Sequence, residues 1–263
     1  MKISIVTVCR NSERTIERTL ESVYQHHLEG VALEQLIVDG ASEDDTMEVV
    51  KSFAQKMPLR WISEPDEGIY DAMNKGLAMA TGDVISILNG DDWLLPNTLQ
   101  RVIDTFNHHE IDYLYGTVER WEREKMVGLN RPLPRELWER EIWWQMPIPH
   151  ISLFAKKELY ERVGHFDTSY KIGGDHDWMV RLHESGAVGL ELPEPPLAAV
   201  ELGGVGGRWQ RFGELYRCAR AHGQPFGRTS WKVGRFMAVQ LLHDFLPRPL
   251  YRRVLKRRGG RFS

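Results

Sequence analysis

The chain has 263 residues, enough for one large or two modest domains with a proper hydrophobic core. Hydrophobic residues make up 42% and charged residues 27%, which excludes a disordered chain. No run approaches the roughly 18 apolar residues of a membrane-spanning helix, and the first residues do not resemble a signal peptide. The two cysteines, Cys9 and Cys218, are too few for a disulfide framework or a thiolate zinc site. We therefore expect a protein made and kept in a reducing cytoplasm.

The net charge of -3 conceals an asymmetry along the chain. Residues 208–263 contain 14 Lys and Arg against two acids, which leaves 20 basic and 35 acidic residues in 1–207. This pattern predicts an acidic body and a basic tail with different surroundings. A solvated amphipathic segment is one interpretation of the tail, and contact with an anionic membrane surface is the preferred one. A nucleic-acid partner is disfavoured because the acidic body would repel it.

The first hundred residues alternate strand and helix signals. Apolar, often β-branched runs predict strands at 3–8, 36–38, 59–62 and 84–88. Helical spacing predicts a helix after each strand, the second starting from an N-cap at Ser42 and the fourth with Pro96 in its first turn. The inward-facing residues predicted for these helices are Ile16, Leu20, Val23 and Tyr24; Met47, Val50 and Phe53; Ile69, Ala72, Met73, Gly76, Leu77 and Ala80; and Leu99, Val102, Ile103 and Phe106. Such alternation predicts an α/β fold with a mostly parallel sheet covered on both faces.

The second half of the chain has a different character. Tryptophans and prolines among many charges predict an irregular insertion or lid over 120–150, whose tryptophans either stack on sugar rings or pack beneath the lid. Further on, the patterns predict a strand at 151–154, a short helix from Lys156 and a helix at 175–184. Edge strands are predicted at 188–192 and 197–202, and amphipathic helices at 209–222 and 229–246.

Polar side chains follow each of the first four predicted strands. In open α/β sheets, ligands bind at the carboxyl ends of the strands. The residues at those ends are Asn11, Asp39, Glu64, Asp66, Asp91 and Asp92. Loops are polar in any case, yet four convergent groups at one sheet edge favour a ligand site.

Asp91 and Asp92 form a carboxylate pair directly after an apolar strand, and Gly90 permits a close backbone approach. Oxygen ligands of this kind suit Mg²⁺ or Mn²⁺, which bind one or two carboxylates together with phosphate oxygens. The ion would offset the charge of a diphosphate and stabilise a phosphate leaving group. Taken alone, an Asp-Asp pair is more commonly a turn or a helix cap.

Four segments in order carry a family resemblance: 6–12 (VTVCRNS), 37–46 (IVDGASEDDT), 64–76 (EPDEGIYDAMNKG) and 80–92 (ATGDVISILNGDD). Their order and spacing closely resemble the inverting family 2 glycosyltransferases with the GT-A fold, of the bacterial surface-polysaccharide type. The resemblance is dense over 1–95 and patchier to about residue 207. It implies a GT-A domain at 1–207, with a nucleotide-binding half at 1–95 and an acceptor and catalytic half at 96–207, followed by a helical basic tail at 208–263.

The resemblance also implies roles for single residues. The side chains that it places around the donor nucleotide sugar are Thr7, Asn11, Asp39, Asp71, Asn74, Lys75, Asn89 and Asp91. Among them, Asp39 would accept hydrogen bonds from the base, commonly uracil. Asp91 and Asp92 would hold the ribose and a divalent cation, Mg²⁺ or Mn²⁺. Asn89 stands where the family's Asp-x-Asp-Asp motif has its first carboxylate, and its amide can still donate to a ribose hydroxyl or accept at the metal.

Residues 173–178 (GGDHDW) resemble the family's later Glu-Asp-x-Asp motif. Asp175 aligns with the catalytic base, and Gly174 replaces the usual Glu. Inversion by direct displacement requires one base to take the proton of the acceptor hydroxyl, although Asp175 could instead only cap a helix. His150 is either a residue near the metal or acceptor or a structural histidine. The glycine-rich segment 203–207 resembles one that closes over the diphosphate.

The sequence thus predicts an inverting glycosyltransferase that moves a sugar from a nucleoside-diphosphate sugar, with a UDP-sugar favoured, to an acceptor hydroxyl. The predicted acceptor is a growing surface glycan or a polyprenyl-linked glycan, reached by a cytoplasmic enzyme whose tail lies on the inner face of the cell membrane. A non-catalytic nucleotide-sugar-binding protein is an alternative because of Asn89 and Gly174. A nucleotidyltransferase of similar fold is a weaker one, since residues 10–12 lack the glycines of a triphosphate loop.

Overall fold

The structure is a computed structural model that describes residues 1–28, 32–203 and 209–245. The chain divides into two compact units, Met1–Val205 and Gly206–Ser263. Most of the predicted glycine-rich segment, at 204–207, and the end of the basic tail, from residue 246, lie outside the described residues.

In the described part of the first unit, strands and helices alternate. The strands are β1 Ile3–Cys9, β2 Leu33–Asp39, β3 Leu59–Ser63, β4 Val84–Asn89, β5 Trp93–Leu94, β6 Tyr113–Gly116, β7 Val118–Glu122, β8 Lys125–Asn130, β9 Phe154–Lys156, β10 Gly189–Leu192 and β11 Ala198–Glu201. The helices are α1 Ile16–Leu28, α2 Thr46–Phe53, α3 Ile69–Met79, α4 Thr98–His108, α5 Trp138–Glu141, α6 Lys157–Val163 and α7 Gly174–Glu184, with 3-10 turns at Arg135–Leu137 and His150–Ser152. In the second unit, α8 Gln210–Ala221 contacts α9 Phe226–Phe245.

A seven-stranded sheet in the order β10-β6-β9-β4-β1-β2-β3 forms the centre of the first unit. Its pairs are parallel except at β9, which runs antiparallel to β4 and β6. β1 pairs with β2 up to Cys9↔Asp39 and with β4 up to Val8↔Asn89, so these three strands end at one edge. The predicted mostly parallel α/β sheet is confirmed, and with it the shared carboxyl edge.

Helices cover both faces of this sheet, as the apolar spacing predicts. On one face, Ile16 and Leu20 of α1 and Val50 and Phe53 of α2 form a buried cluster with Ile37 of β2. On the other face, α3 lies against β1 and β2. Burial of apolar surface contributes about 25 cal/mol of free energy per Å², and it holds these helices on the sheet.

A second sheet, in the order β5-β11-β7-β8, was not predicted. It corrects the expectation of an irregular lid over 120–150, because β7 and β8 form an antiparallel hairpin there and Trp138 and Trp144 are buried. The hairpin turns through Arg123 and Glu124, both with positive φ, a geometry that Asn-Gly usually signals. Since the charged residues Glu119 and Arg120 are adjacent in β7 and both half-buried, neither strand nor turn has a recognisable pattern. β11 also lies inside this sheet and not at an edge.

Three local predictions were wrong. Helix α2 begins at Thr46 with Asp45 as its N-cap, because the Ser42 side chain is engaged by Asp39 instead. The predicted strand at 151–154 begins as the 3-10 turn His150–Ser152, and only Phe154–Lys156 is a strand. Ile69, expected to face inward, is exposed at the first turn of α3.

Within the described residues, no helix combines the length and the apolar character needed to span a bilayer.

Candidate active site

Asp39 ends β2 at the carboxyl edge and is completely buried. One carboxylate oxygen accepts from the Ser42 amide at 3.0 Å and the Ser63 hydroxyl at 2.6 Å. The other accepts from the Ser42 hydroxyl and faces the Cys9 sulfur at 3.9 Å. Four donors occupy the roughly four lone-pair directions of a carboxylate, so Asp39 ties together the ends of β1, β2 and β3. Its contact with a base remains a prediction.

Asn11 and Thr7 lie at different depths of the same edge. Asn11 is exposed just beyond β1, adopts a positive φ of 50° and accepts at Oδ1 from the Glu43 amide at 3.0 Å. Thr7 is completely buried in the middle of β1, and its hydroxyl has no hydrogen-bond partner among the described residues. The structure thus leaves Asn11 accessible to a ligand and buries the Thr7 side chain, and the contact of either residue with a nucleotide stays a prediction.

Arg10 and Asp66 converge on Gly40, which follows β2. A Cβ at Gly40 would overlap the Asp66 carboxylate and lie 3.3 Å from Cδ of Arg10. Asp66 also accepts from the Gly68 amide at 2.9 Å. The lack of a side chain at Gly40 lets the Asp66 carboxylate and the Arg10 side chain lie close to the backbone here. Arg10 was not among the predicted site residues, because its place beside Gly40 depends on the alignment of two strands.

The three residues predicted on α3 separate into two groups. Nζ of Lys75 lies 3.1 Å from the Asp71 carboxylate and 2.9 Å from the Glu64 carboxylate, next to the end of β3. Asn74 faces away from them: its amide nitrogen donates to the Phe166 carbonyl and its oxygen accepts from the Phe166 amide, both at 2.9 Å. Asp71 and Lys75 therefore stand at the edge, whereas Asn74 ties α3 to the segment before α7.

The Asp91-Asp92 pair lies in the tight turn after β4. A Cβ at Gly90 would lie 2.7 Å from that of Cys9, so only Gly lets this turn approach β1. Asp92 is 1% exposed, and its carboxylate accepts from the Asn89 side-chain amide at 2.8 Å and the Glu201 backbone amide at 3.3 Å. Burial, with the charge of Asp91, raises the pKa of Asp92 to about 8. Burial also raises the pKa of the half-buried Asp91.

Polar side chains of α1, together with Thr15 just before it, support this turn from one side. The Thr15 and Thr19 hydroxyls donate to the carbonyls of Gly90 and Asp92 at 2.8 and 2.7 Å. Arg18 donates to the Asp91 carbonyl at 3.1 Å. Only the apolar face of α1 was predicted from the sequence, and these polar residues were not. Their signal is a polar cluster in the first turns of a helix that begins at the sheet edge.

Arg18 is held in turn by two side chains of the second sheet. Its guanidinium donates to the Glu201 carboxylate at 3.2 Å and lies 3.6 Å above the Trp93 ring. The planar guanidinium satisfies an ion pair and an aromatic stack at once, which a lysine could not.

His150 connects the carboxylate pair to Asp175. Nε2 of His150 lies 3.4 Å from the Asn89 side-chain nitrogen, and Nδ1 lies 3.7 Å from the Asp175 carboxylate. Since the Asn89 nitrogen also donates to Asp92, it faces Nε2 as a donor, and the neutral ring then carries its proton on Nδ1, towards Asp175. Asp92, Asn89, His150 and Asp175 form one continuous polar row.

Asp175 is the second residue of α7, whose N-cap is Gly173. One carboxylate oxygen, Oδ1, lies 2.9 Å from the His176 amide and 3.1 Å from the Tyr70 hydroxyl. The other, Oδ2, faces His150. Asp177 in the same turn instead pairs with Arg181 at 2.9 Å. The structure thus brings Asp175 and His150 to the carboxylate pair and keeps Asp177 within the helix.

Residues 4–166 match the sequence model of Glycosyl transferase family 2. This is more than half of the chain, which therefore belongs to that family and is a glycosyltransferase. An uncharacterized glycosyltransferase of Mycobacterium tuberculosis is 28% identical over 184 residues, 68% of each chain. A PGL/p-HBAD biosynthesis glycosyltransferase of Mycobacterium bovis is 32% identical over 159 residues, 59% of this chain and 60% of that protein.

Solved structures show the same fold. The Staphylococcus aureus TarS fragment 1–349 in complex with UDP-GlcNAc matches with a TM-score of 0.65 at 17% identity, over 90% of this chain and 72% of that chain. The mannosyltransferase PcManGT from Pyrobaculum calidifontis, in complex with GDP-Man and Mn²⁺, matches with a TM-score of 0.59 at 21% identity, over 97% of this chain and 78% of that chain. The predicted GT-A fold is thereby confirmed.

Proposed function

We propose that this glycosyltransferase moves a sugar from a nucleoside-diphosphate sugar to an acceptor hydroxyl with inversion at the anomeric carbon, with UDP as the favoured nucleotide. The observation that carries the proposal is the polar row from Asp92 through Asn89 and His150 to Asp175, which joins a carboxylate pair to a separate carboxylate. TarS in complex with UDP-GlcNAc and PcManGT in complex with GDP-Man support the donor class.

The donor binds in the nucleotide-binding half, 1–95, at the carboxyl edge of β1 to β4. Asn11 is exposed there, and Asp71 with Lys75 stands beside the end of β3. Asp39 shapes the pocket for the base through its bonds to Ser42 and Ser63. The half at 96–207 contributes Asp175 and the acceptor side.

The residues of the turn after β4 fit a divalent cation. Two adjacent carboxylates have raised pKa values, and Oδ1 of Asn89 is buried with no hydrogen-bond partner within the described residues. Hard oxygen donors of this kind suit Mg²⁺ or Mn²⁺. Asp91, the more accessible carboxylate, would hold the ion, and Asp92 would hold the turn. When bound, the cation supplies charge neutralisation for the leaving diphosphate.

Asp175 acts as the general base. Its carboxylate takes the proton of the acceptor hydroxyl while the acceptor oxygen forms a bond to the anomeric carbon. The bond from that carbon to the diphosphate oxygen breaks, and the electron pair leaves with the nucleoside diphosphate. Attack from the side opposite the leaving group inverts the configuration. His150 stays beside the Asp175 carboxylate and links it to Asn89.

The test is a binding and turnover screen against UDP-, GDP- and dTDP-sugars with Mn²⁺ or Mg²⁺. We expect one donor to bind with metal, Asp91→Ala to abolish binding, and Asp175→Asn to keep binding but lower turnover at least about 100-fold. Asp104→Asn, the same change at an exposed position of α4, is the matched control. Binding without turnover for the unmodified protein, even with lipid-linked acceptors, would instead identify a nucleotide-sugar sensor. Failure of every donor to bind would refute the site.

The second unit is proposed to lie on an anionic membrane surface, where a lipid-linked acceptor would be found. Residues 208–263 carry 14 basic and two acidic residues. On α9, Phe226 is 67% and Trp231 61% exposed, next to the exposed Arg228 and Arg235. Aromatic and basic side chains on one exposed helix suit the boundary between lipid headgroups and acyl chains.

Co-sedimentation with lipid vesicles tests this surface. We expect binding to phosphatidylglycerol vesicles and much weaker binding to phosphatidylcholine vesicles. The double variant Phe226→Ser/Trp231→Ser should lose most of the binding, and Trp61→Ser/Val127→Ser, which removes exposed apolar side chains of the first unit, should retain it. Equal binding to both lipids, or none, would contradict the proposal.

A further inference from the structure

Tyr70 touches the proposed base from α3. Its ring is buried in the first turn of that helix, and its hydroxyl lies 2.5 Å from the Ile172 carbonyl and 3.1 Å from Oδ1 of Asp175. The single hydroxyl proton is shared between these two acceptors. Tyr70 thus links α3, which helps to form the donor edge, to the start of α7, which carries Asp175.

The Tyr70 ring fits in this place because Gly174 has no side chain. A Cβ at Gly174 would lie 2.8, 2.9 and 3.0 Å from Cε2, Cδ2 and Cγ of Tyr70. The ring therefore fills the space into which a side chain at 174 would extend. A longer side chain in the position before Asp175, such as a glutamate, is incompatible with the ring in this place. The Tyr70 ring can therefore occupy this place only because residue 174 has no side chain.

The Tyr70 hydroxyl also makes the two carboxylate oxygens of Asp175 different in their contacts. Oδ1 accepts from Tyr70 and lies 2.9 Å from the His176 amide, whereas Oδ2 faces only Nδ1 of His150, at the longer distance of 3.7 Å, among the contacts that the structure describes. Oδ2 is therefore the oxygen with a free lone pair. A carboxylate held by one oxygen presents the other in a fixed direction.

We propose that Tyr70 is a positioning residue, which holds Oδ1 of Asp175 so that Oδ2 receives the proton of the acceptor hydroxyl. The inference rests on the proposed function of Asp175 as the base. Tyr70 acts through Asp175, because its hydroxyl contacts the Ile172 carbonyl and Oδ1 of Asp175. Its removal therefore lowers the turnover number and leaves donor binding unchanged.

The test compares Tyr70→Phe, Asp175→Asn and the double variant by nucleoside diphosphate release over a range of donor concentrations that reaches saturation. Tyr70→Phe keeps the ring against Gly174 and removes only the hydroxyl, so we expect kcat to fall about tenfold with the donor KM within about twofold. In the Asp175→Asn background the same change should cost nothing further, because the group that it positions is gone. Tyr115→Phe, which removes a hydroxyl from another buried tyrosine, should leave kcat unchanged.

Two outcomes overturn the inference without touching the proposed function. One is an active protein whose Tyr70→Phe variant keeps the full kcat. The other is a loss that recurs in full in the Asp175→Asn background or appears equally in Tyr115→Phe, which would assign Tyr70 a purely structural role. If the unmodified protein turns over no donor, the proposed function is wrong, and the inference is wrong with it.

Discussion

Gly76 shows how one missing side chain sets the distance between a helix and the sheet. It lies in the middle of α3, where glycine is usually unfavourable, and a Cβ there would overlap Cγ1 of Val6 on β1. The close approach brings Tyr70, Asp71 and Lys75, all on α3, to the edge where the strands end. A single small residue therefore fixes the position of three side chains of the candidate site.

Gly76→Ala should destabilise the fold by about 1–3 kcal/mol, because the added methyl group forces α3 away from β1. Urea unfolding followed by circular dichroism measures the change. Gly128→Ala on β8, where a Cβ meets nothing within 4 Å, should change the stability by less than about 0.5 kcal/mol. Equal stability of the two variants would show that α3 can shift freely.

Asn89 stands where the family's motif has its first carboxylate, and the contacts of Asn89 explain this difference. Its amide nitrogen donates to the buried Asp92 and faces Nε2 of His150, and a carboxylate could do neither. The sequence shows the substitution but not its reason, because His150 comes close only in the folded chain.

Asn89→Asp should lower the stability by about 1–3 kcal/mol without metal, since it removes a donor to Asp92 and places a third carboxyl group in the turn. Mn²⁺ should recover part of that loss. Chemical unfolding with EDTA and with Mn²⁺ measures both effects, and Asn107→Asp on the exposed face of α4 is the control. A variant as stable as the unmodified protein in EDTA would contradict the assigned hydrogen bonds.

At the scale of the secondary-structure elements, β2 carries a charged side chain, Glu34, at the end of the sheet opposite the site. Glu34 accepts from Nζ of Lys2 at 2.8 Å, from the Ser4 hydroxyl at 2.7 Å and from the Thr81 amide at 2.6 Å. Partial burial alone would raise the pKa of Glu34, but these hydrogen bonds outweigh it and lower the pKa to about 2. The carboxylate thereby joins β2 to the start of β1 and to the turn before β4.

The sign of the pH dependence follows from the lowered pKa. Glu34 contributes its full stability above the unfolded value of about 4.3, and the contribution is lost as the pH falls towards 2. The difference in unfolding free energy between the protein and Glu34→Gln should be about 1–2 kcal/mol at pH 6, reduced by solvent screening, and should shrink towards zero at pH 2. Glu48→Gln on the exposed face of α2 is the control. A difference that grows on acidification would contradict this account.

The sequence predicted the elements whose patterns are local and missed those that depend on distant partners. β1 to β4 and the helices between them have continuous apolar runs and regular spacing, so they were recoverable, as was the carboxyl edge with Asp39, Asp91 and Asp92. The hairpin of β7 and β8 was not, because it turns through Arg123 and Glu124 without the usual turn residues. The burial of Thr7 likewise depends on what packs over β1.

At the scale of the whole molecule, ligand binding should raise the stability of the folded protein. A ligand that binds only the folded state stabilises it by about 2.7 kcal/mol at 100 times its Kd. Mn²⁺ together with the matching nucleoside diphosphate should therefore raise the unfolding temperature. Asp91→Ala should abolish the rise, while Asp175→Asn should keep it. Differential scanning fluorimetry measures the effect, and a rise of the same size in Asp91→Ala would place the nucleotide elsewhere.

Tyr70 and Gly174 also constrain how this sequence has been able to diverge. Because the ring fills the space that a side chain at 174 would need, neither position can be exchanged freely while the other stays as it is. Among homologues, a residue larger than glycine at the equivalent of 174 should therefore occur with a smaller residue at the equivalent of 70. Lineages would pass between the two arrangements through paired substitutions, and the intermediate with both large side chains should be selected against.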